Sequence, residues 1–596
     1  MAVSPNSDAS DQVSLVISVN GAAIENTVQV ISVKINKTIN RITTAKVVIL
    51  DGDMPNQSFP ASEGNNFKPG NIIEIKAGYG SKQTSVFSGI IVRHGLKISG
   101  ENFSRLVVEC RDKAVAMTIG RHNANFVKAK DSDIITKLCG AYSLTTKVDT
   151  TQIQHPELVQ YYSTDWDFMV ARAEANGLLV FVDDGCLTVA APDTSSSPVL
   201  TVSYGYDLIE FHAELDAMSQ LSSVKGTSWD LSKQAIVEGQ SQSPSSLKLS
   251  GNIQSSDLAK VVGPKLYDLQ TAAPMEQCDL NNWAKAQQLK AGLARISGRM
   301  KFQGSALVKP GDLIELKGVG KRFDGNVFIS SVTHEISDGN WLSEVEFGLS
   351  PAWFTENRDL TAPPASGLLP GIEGLQIGVV KKLDSDPEGQ QKIQVSVPVN
   401  QVKTDGVWAR LANFYASDGF GAFFIPEIGD EVILGYVNND PSHPIILGSL
   451  YSSKRKPSYN LTADNFTKVI ETKSKLKIEF DDDKKVITVV TPGNNKIVLS
   501  DDDKSIVIQD KNNNKVSLTT SGISMESPKD IAITAKGKVS IDATEGVAIS
   551  SKADVTVKGV NVSNSADVGF TAKGNATAEL SASGQTTVKG AMVMIN

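Results

Sequence analysis

From Ile523 onward the chain repeats one short phrase: an apolar residue, a small or polar one, a second apolar one, then a polar turn. The pairs Ile523/Met525, Ile531/Ile533, Val539/Ile541, Val547/Ile549 and Val555/Val557 begin at 523, 531, 539, 547 and 555, a strict period of eight. After a five-residue step the phrase resumes at Val560/Val562, Val568/Phe570 and Ala576/Ala578. Between the pairs lie tetrads such as Ser527-Pro-Lys-Asp and Ala543-Thr-Glu-Gly, with the composition of turns. Period two within each pair predicts a short strand with one buried face. Two small apolar side chains per strand make a very thin strip, whereas a single-chain solenoid normally needs longer coils and a fuller core; that solenoid or a set of hairpins is the alternative reading. Three chains wound together close a narrow prism on that strip and hide one another's strand edges. The expected architecture is an intertwined trimeric β-helix over 486–596, with Ile523, Met525, Ile531, Ile533, Val539, Ile541, Val547, Ile549, Val555, Val557, Val568 and Phe570 as the trimer core. If each strand climbs one inter-strand spacing, about 4.8 Å, a dozen strands give a shaft on the order of 60 Å long.

Upstream, strand-like runs start ten residues apart at Val486, Lys496, Ile506 and Val516, a slower rhythm that implies a wider shaft base. The acidic triplets Asp481 to Asp483 and Asp501 to Asp503 sit beside lysines at turns and read as solvated turns.

At the front of the chain a segment occurs twice. Lys68-Pro-Gly-Asn-Ile-Ile-Glu-Ile-Lys nearly matches Lys309-Pro-Gly-Asp-Leu-Ile-Glu-Leu-Lys, an offset of 309 minus 68, or 241. Val86-Phe87 and Val327-Phe328 share the offset, and Asn102-Phe103 against Asn340-Trp341 fits with a gap of three. The echoes predict two related β-barrels, 1–120 and 208–358, the second with helices over 256–270 and 276–296. An α/β insertion lies between them at 121–207, with helices over 131–141 and 165–176 and a hairpin around Asp183-Asp-Gly. Three chains with two barrels each would present a ring of approximate sixfold symmetry.

A Pro- and Ala-rich linker, 359–375, leads to a module at 376–455 whose evenly spaced short strands suggest an OB barrel; the strands expected are 377–383, 392–397, 407–412, 421–425, 431–436 and 445–450. A neck, 456–485, precedes the shaft. Within the module Gly378-Val-Val, Asp386-Pro-Glu-Gly, Val407-Trp-Ala-Arg, Phe423-Phe-Ile-Pro-Glu-Ile-Gly-Asp-Glu-Val, Asp440-Pro-Ser-His-Pro and Leu447-Gly-Ser-Leu-Tyr together resemble the OB domain of the VgrG (Rhs-element Vgr) spike family. The double-barrel front is similar to the hub of those proteins and the octads to their β-helix. The whole reads as a mainly β chain: duplicated barrel hub, α/β insertion, OB-fold neck and C-terminal intertwined trimeric β-helix.

The resemblance implies a structural part of a contractile injection machine. The homotrimer would cap a hexameric inner tube, contact baseplate proteins at its hub, and carry a PAAR-like tip protein on Met592, Val593, Met594, Ile595 and Asn596, the alternative being that the apolar residues among these merely close the trimer core. The rival expectation is a trimeric tailspike that binds or cuts surface glycans, but after Tyr459 the chain has neither Trp nor Tyr, the usual faces for sugar.

Other chemistry finds little footing. Asp384, Asp386, Glu388 and Gly389 imitate half of an EF-hand loop, but Val395 stands where its last carboxylate belongs. Neither a phosphate-binding loop nor a metalloprotease or Ser-hydrolase motif occurs. All six histidines precede the shaft, so no His-bound metal is expected at its tip. We therefore expect no enzyme activity and no cofactor. A formal charge of -8 with mixed signs gives no reason to expect nucleic acid, and a membrane would be met only by puncture. The four scattered cysteines and the polar start suit a chain made in the cytoplasm without a signal peptide, leaving the cell as part of a particle.

Overall fold

The computed structural model describes residues 3–7, 12–100, 103–242, 247–357, 360–401 and 405–595. The chain is mainly β and divides into two compact units, Met1–Leu450 and Tyr451–Asn596. Among the described residues no helix is long and apolar enough to cross a membrane.

The hub is one continuous 13-stranded sheet. In its first half the neighbours are Val13–Val19, Ile72–Tyr79, Lys82–Ser99, Phe103–Arg111, Thr44–Leu50 and Val30–Thr38; in its second they are Gly325–Ser337, Asn340–Phe347, Ile296–Gln303 and Leu208–Leu215. The two related β-barrels expected from the sequence share this one sheet. Val30–Thr38 pairs antiparallel with Gly325–Ser337, from Ser331 opposite Thr38 to Ser337 opposite Ser32. Small hydroxyl and amide side chains knit this seam: Asn36 donates to Thr333 Oγ1 at 3.0 Å and Thr38 meets Ser331 at 2.9 Å. Each half keeps its own core, one around Val33, Ile75, Phe87 and Leu106, the other around Met300, Phe302, Ile329 and Val345.

The duplication is visible in hydrogen bonds. Gly70 N donates to Ile91 O and Gly311 N to Ile329 O, both at 2.8 Å. Ile91 N returns to Asn71 O and Ile329 N to Asp312 O, at 2.9 and 3.0 Å. Both glycines adopt positive φ, +99° and +94°, which explains why the Lys-Pro-Gly turn survives in each copy. From Ile91 to Ile329 the offset is 238, not 241. The three-residue gap therefore falls before this partner strand, and Val86-Phe87 is not the counterpart of Val327-Phe328.

The insertion forms the expected helices, Asp131–Gly140 and Asp165–Ala175, the second capped by Thr164 accepting from Asp167 N at 3.0 Å and followed by Gly177 at φ +70°. Its hairpin Leu179–Asp183 and Cys186–Ala190 is completed by Thr145–Val148. Three details differ from expectation. Leu200–Ser203, placed with the insertion, pairs in parallel with Leu313–Lys317 of the hub sheet. Of the helix expected over 256–270 only Ser255–Leu258 forms, because Gly263-Pro264 breaks the pattern, and Tyr267–Gln270 is a strand. The second half also carries its own three-stranded sheet, Ser223–Asp230 with Ala235–Gln242 and Tyr267–Gln270, packed on helix Gln277–Leu293.

The OB module is a closed five-stranded barrel of Gln376–Lys382, Ile393–Ser396, Val407–Leu411, Pro444–Ser449 and Glu431–Tyr436 around Val380, Val395, Val432, Leu434 and Ile446. The strand expected over 421–425 does not form. Asp386 is a turn residue, accepting from the backbone of Glu388, Gln390 and Lys392.

The second unit opens with a seven-stranded antiparallel meander: Thr467–Glu471, Lys477–Asp481, Val486–Val490, Lys496–Ser500, Ser505–Gln509, Lys515–Thr519 and Gly522–Glu526. Left-handed residues, Lys475, Lys485, Asn494, Lys504 and Asn513, sit in its first five turns. This corrects the boundary expected at Val486, which lies inside the sheet. Up to Glu526 the strands pair within one chain instead of intertwining, and Ile523 and Met525 belong to the last strand of the meander. Residues 527–595 contain neither a strand nor a buried residue.

Candidate functional site

In the meander every strand turns the same kind of face one way. Ile470 lies opposite Ile478, which lies opposite Val489, and the line continues through Ile497, Ile508 and Val516 to Met525. A second line runs from Phe480 through Ile487, Leu499, Ile506 and Leu518 to Ile523. Residues two apart on a strand share a face, and directly opposed residues share a column. The result is a two-column apolar ladder. The reverse face mixes Lys477, Glu479, Lys496, Gln509 and Lys515 with Val469, Val486, Val490, Val498 and Val507, all half-buried, and Lys477 and Glu479 are ion-paired on it at 2.6 Å.

Among the described residues of the unit, nothing covers the ladder. Its side chains stay exposed, at 37–50% from Ile470 to Leu518 apart from half-buried Val516, and further at Ile523 and Met525. Full burial of one Ile, Leu or Val is worth roughly 1.5 to 3 kcal/mol, so a face of this length is costly to leave in water.

The octad residues continue the same motif. Ile531, Ile533, Val539, Ile541, Val547, Ile549, Val555, Val557, Val568 and Phe570 are all exposed in the single chain, Ile541 at 71%. Met592, Val593, Met594 and Ile595 are exposed as well; Asn596, like Asn102 of the sequence echo, lies outside the described residues. The ladder was missed at the sequence level although its signal is present. The pairs 478/480, 487/489, 497/499, 506/508 and 516/518 are the octad pair at a spacing of nine or ten.

In the hub the tip of the insertion hairpin acts as a keystone. Asp183 is ion-paired with Lys37 from the first half and with Lys309, at 2.6 Å, from the second. Burial pushes the Asp183 carboxyl up, but the two lysines outweigh it and hold it below the usual carboxylate range. Asp184 accepts from Ser88 N at 2.7 Å, and Asp112 accepts from Gly185 N at 2.7 Å. Close by, His334 is buried against Trp341 and Ser343, and burial followed by the Lys37 charge pushes it down to about 3. These groups are paired among themselves and fix the two halves to the insertion. Among the described residues no His, Cys, Asp and Glu cluster is arranged to hold a metal ion.

Parts of this chain are similar to known proteins. Residues 376–451 match the model of the type VI secretion system/phage-baseplate injector OB domain. The type VI secretion system spike protein VgrG5 of Pseudomonas aeruginosa is 29% identical over 119 residues, 19% of this chain and 15% of that protein. VgrG1b of the same organism is 28% identical over 193 residues, 30% of this chain and 25% of that protein. The matched stretches thus span a quarter or less of these relatives. The 43 kDa tail protein of prophage MuSo2 from Shewanella oneidensis superposes with a TM-score of 0.44 at 12% identity, covering 57% of this chain and 98% of that one. The OB module and the spike relatives define the class, a VgrG-like spike. The chain belongs to the Alg8 N-terminal domain family, whose model matches residues 9–338, more than half of the sequence.

Proposed function

We propose that three copies of this chain form the central spike of a contractile injection machine. The observation that carries the reading is the uncovered two-column ladder and its continuation through the octads. A flat apolar strip two residues wide is closed by two further copies of itself around a threefold axis, which buries Ile470 to Met525 and then Ile531 to Phe570. The hub halves of three chains supply six related units for a hexameric inner tube and its baseplate proteins. Met592 to Asn596, in triplicate, form the seat for a PAAR-like tip protein, and the shaft passes thrust to that tip to pierce the target envelope. The chain's work is mechanical, and it travels as part of the injection particle. The test is the solution mass of the purified full-length chain by light scattering behind a sizing column. Three chains per particle are expected; a monomer with the ladder left in water would overturn the assembly.

A further inference from the structure

The excursion between Val407–Leu411 and Glu431–Tyr436 of the OB barrel is a second uncovered surface. Here the chain folds back on itself at an isolated bridge between Ala416 and Gly421. Ala422 N donates to Tyr415 O and Ser417 N to Phe420 O, both at 2.9 Å, and Asn413 Nδ2 donates to Ala422 O. Gly421 is required by the fold of this finger. Its φ is +143°, and a Cβ there would lie 2.6 Å from Tyr415 O. The locked backbone holds Phe414, Tyr415, Phe420, Phe423 and Phe424 in water, with Phe414 and Phe423 each at 86% exposure. Tyr415 and Phe420 pack on each other at 6.0 Å between centroids, yet both remain exposed. An aromatic side chain offers roughly 200 Å², so the five together leave about 700 Å² uncovered, close to the ~800 Å² that one partner contributes to a stable interface.

We infer that the finger, Asn413 to Ile425, is an interface between OB modules of different copies of this chain. Two observations select a second copy over a foreign partner. Between Asn413 and Ile425 the only charged residue is Asp418, so the surface has no electrostatic pattern with which to choose a charged partner, whereas aromatic faces pack on their own kind. The OB modules of an assembled trimer are also tethered to one shaft by the short segment 450–466, which raises the effective concentration of each finger for the next. A finger already held in shape loses little entropy on docking. This inference rests on the trimer proposed above, and it adds an interface that the shaft does not require.

The test is single-cysteine crosslinking. Cys110 and Cys139 are buried, so replacing Cys186 and Cys278 with Ser leaves no accessible native thiol. In that background Phe423→Cys and Phe414→Cys are each treated with a short bismaleimide. With one reactive thiol per chain, any covalent dimer joins two copies. Efficient dimer formation at both positions, with little at Val399→Cys, an exposed position of the same module outside the finger, is expected. A particle with trimer mass that gives no dimer at Phe423→Cys or Phe414→Cys, or as much at Val399→Cys, overturns the finger interface and leaves the trimer standing. A monomeric mass overturns the trimer itself and removes the finger interface with it.

Discussion

Val30–Thr38 in the hub and Lys496–Ser500 in the shaft alternate in the same way, yet Val33 and Ile35 are at 0% exposure while Ile497 and Leu499 stand at 40% and 39%. Local pattern specifies which face of a strand avoids water, and says nothing about what covers it. In the hub the cover comes from the same chain: Val33 lies in one core with Ile336 and Trp341, some three hundred positions further on. Among the described residues the meander has no such partner within its own unit. A hub strand is completed by a long-range crossing, whereas a strand of the meander is left without one, and the proposed trimer would supply its cover from another molecule.

The largest effect that sharpens this contrast comes from placing the same charge in both regions. Val33→Asp buries a carboxylate without a partner and should cost about 4 kcal/mol or more, so that no folded hub is recovered. Ile497→Asp should leave the hub's thermal transition in place while the particle mass falls from three chains to one. Circular dichroism melts together with light scattering check both, and a trimeric Ile497→Asp protein would break the comparison.

A smaller effect is expected at the keystone. Asp183→Asn leaves the buried Lys37 without its charge partner, for a loss of about 3 kcal/mol from the hub. Lys37→Met in the same chain should recover much of it. Chemical denaturation of the single and double variants gives the answer; equal loss in both would show that the pair does not act as a unit.

The smallest effect is a slope with pH. His334 ordinarily titrates near 6.5 and is pushed down to about 3 in the folded hub. The unfolded chain binds a proton below 6.5 that the folded chain refuses until about 3, so this stability is complete above 6.5 and is lost progressively as pH falls through that window. His334→Gln should flatten the fall in melting temperature between pH 6.5 and 5, whereas the shaft contributes no histidine to the slope. An unchanged slope would place its origin elsewhere.

What could be read in the sequence follows from how local its cause is. The insertion helices were legible because Asp165 and Gly177 mark the ends of the second, and the Lys-Pro-Gly turns because both copies need a glycine at positive φ. The OB module was legible from its dense motif, although Gly421 to Ile425 turned out to bend into an exposed finger for want of a neighbouring strand. The seam between residues 30–38 and 325–337 was hidden, since nothing in either strand names a partner so remote. The keystone was hidden too: Asp183-Asp-Gly read as a turn, and its lysines come from two distant elements. Of the assembly surface, the octads announced themselves by strict period. The ladder did not, because turns of uneven length blurred the same pair motif.

The meander pairs every strand with the next one along the chain, so all its contacts are local, and such sheets form quickly. Beyond Ile523/Met525 the octads have no internal partner among the described residues and cannot form ahead of their neighbours. Assembly is accordingly expected to begin where three finished sheets meet and to run toward Asn596 like a zip. In an eight-residue repeat, whose phrases are nearly interchangeable, such a start would decide the alignment of the three chains before the first ambiguous phrase is reached.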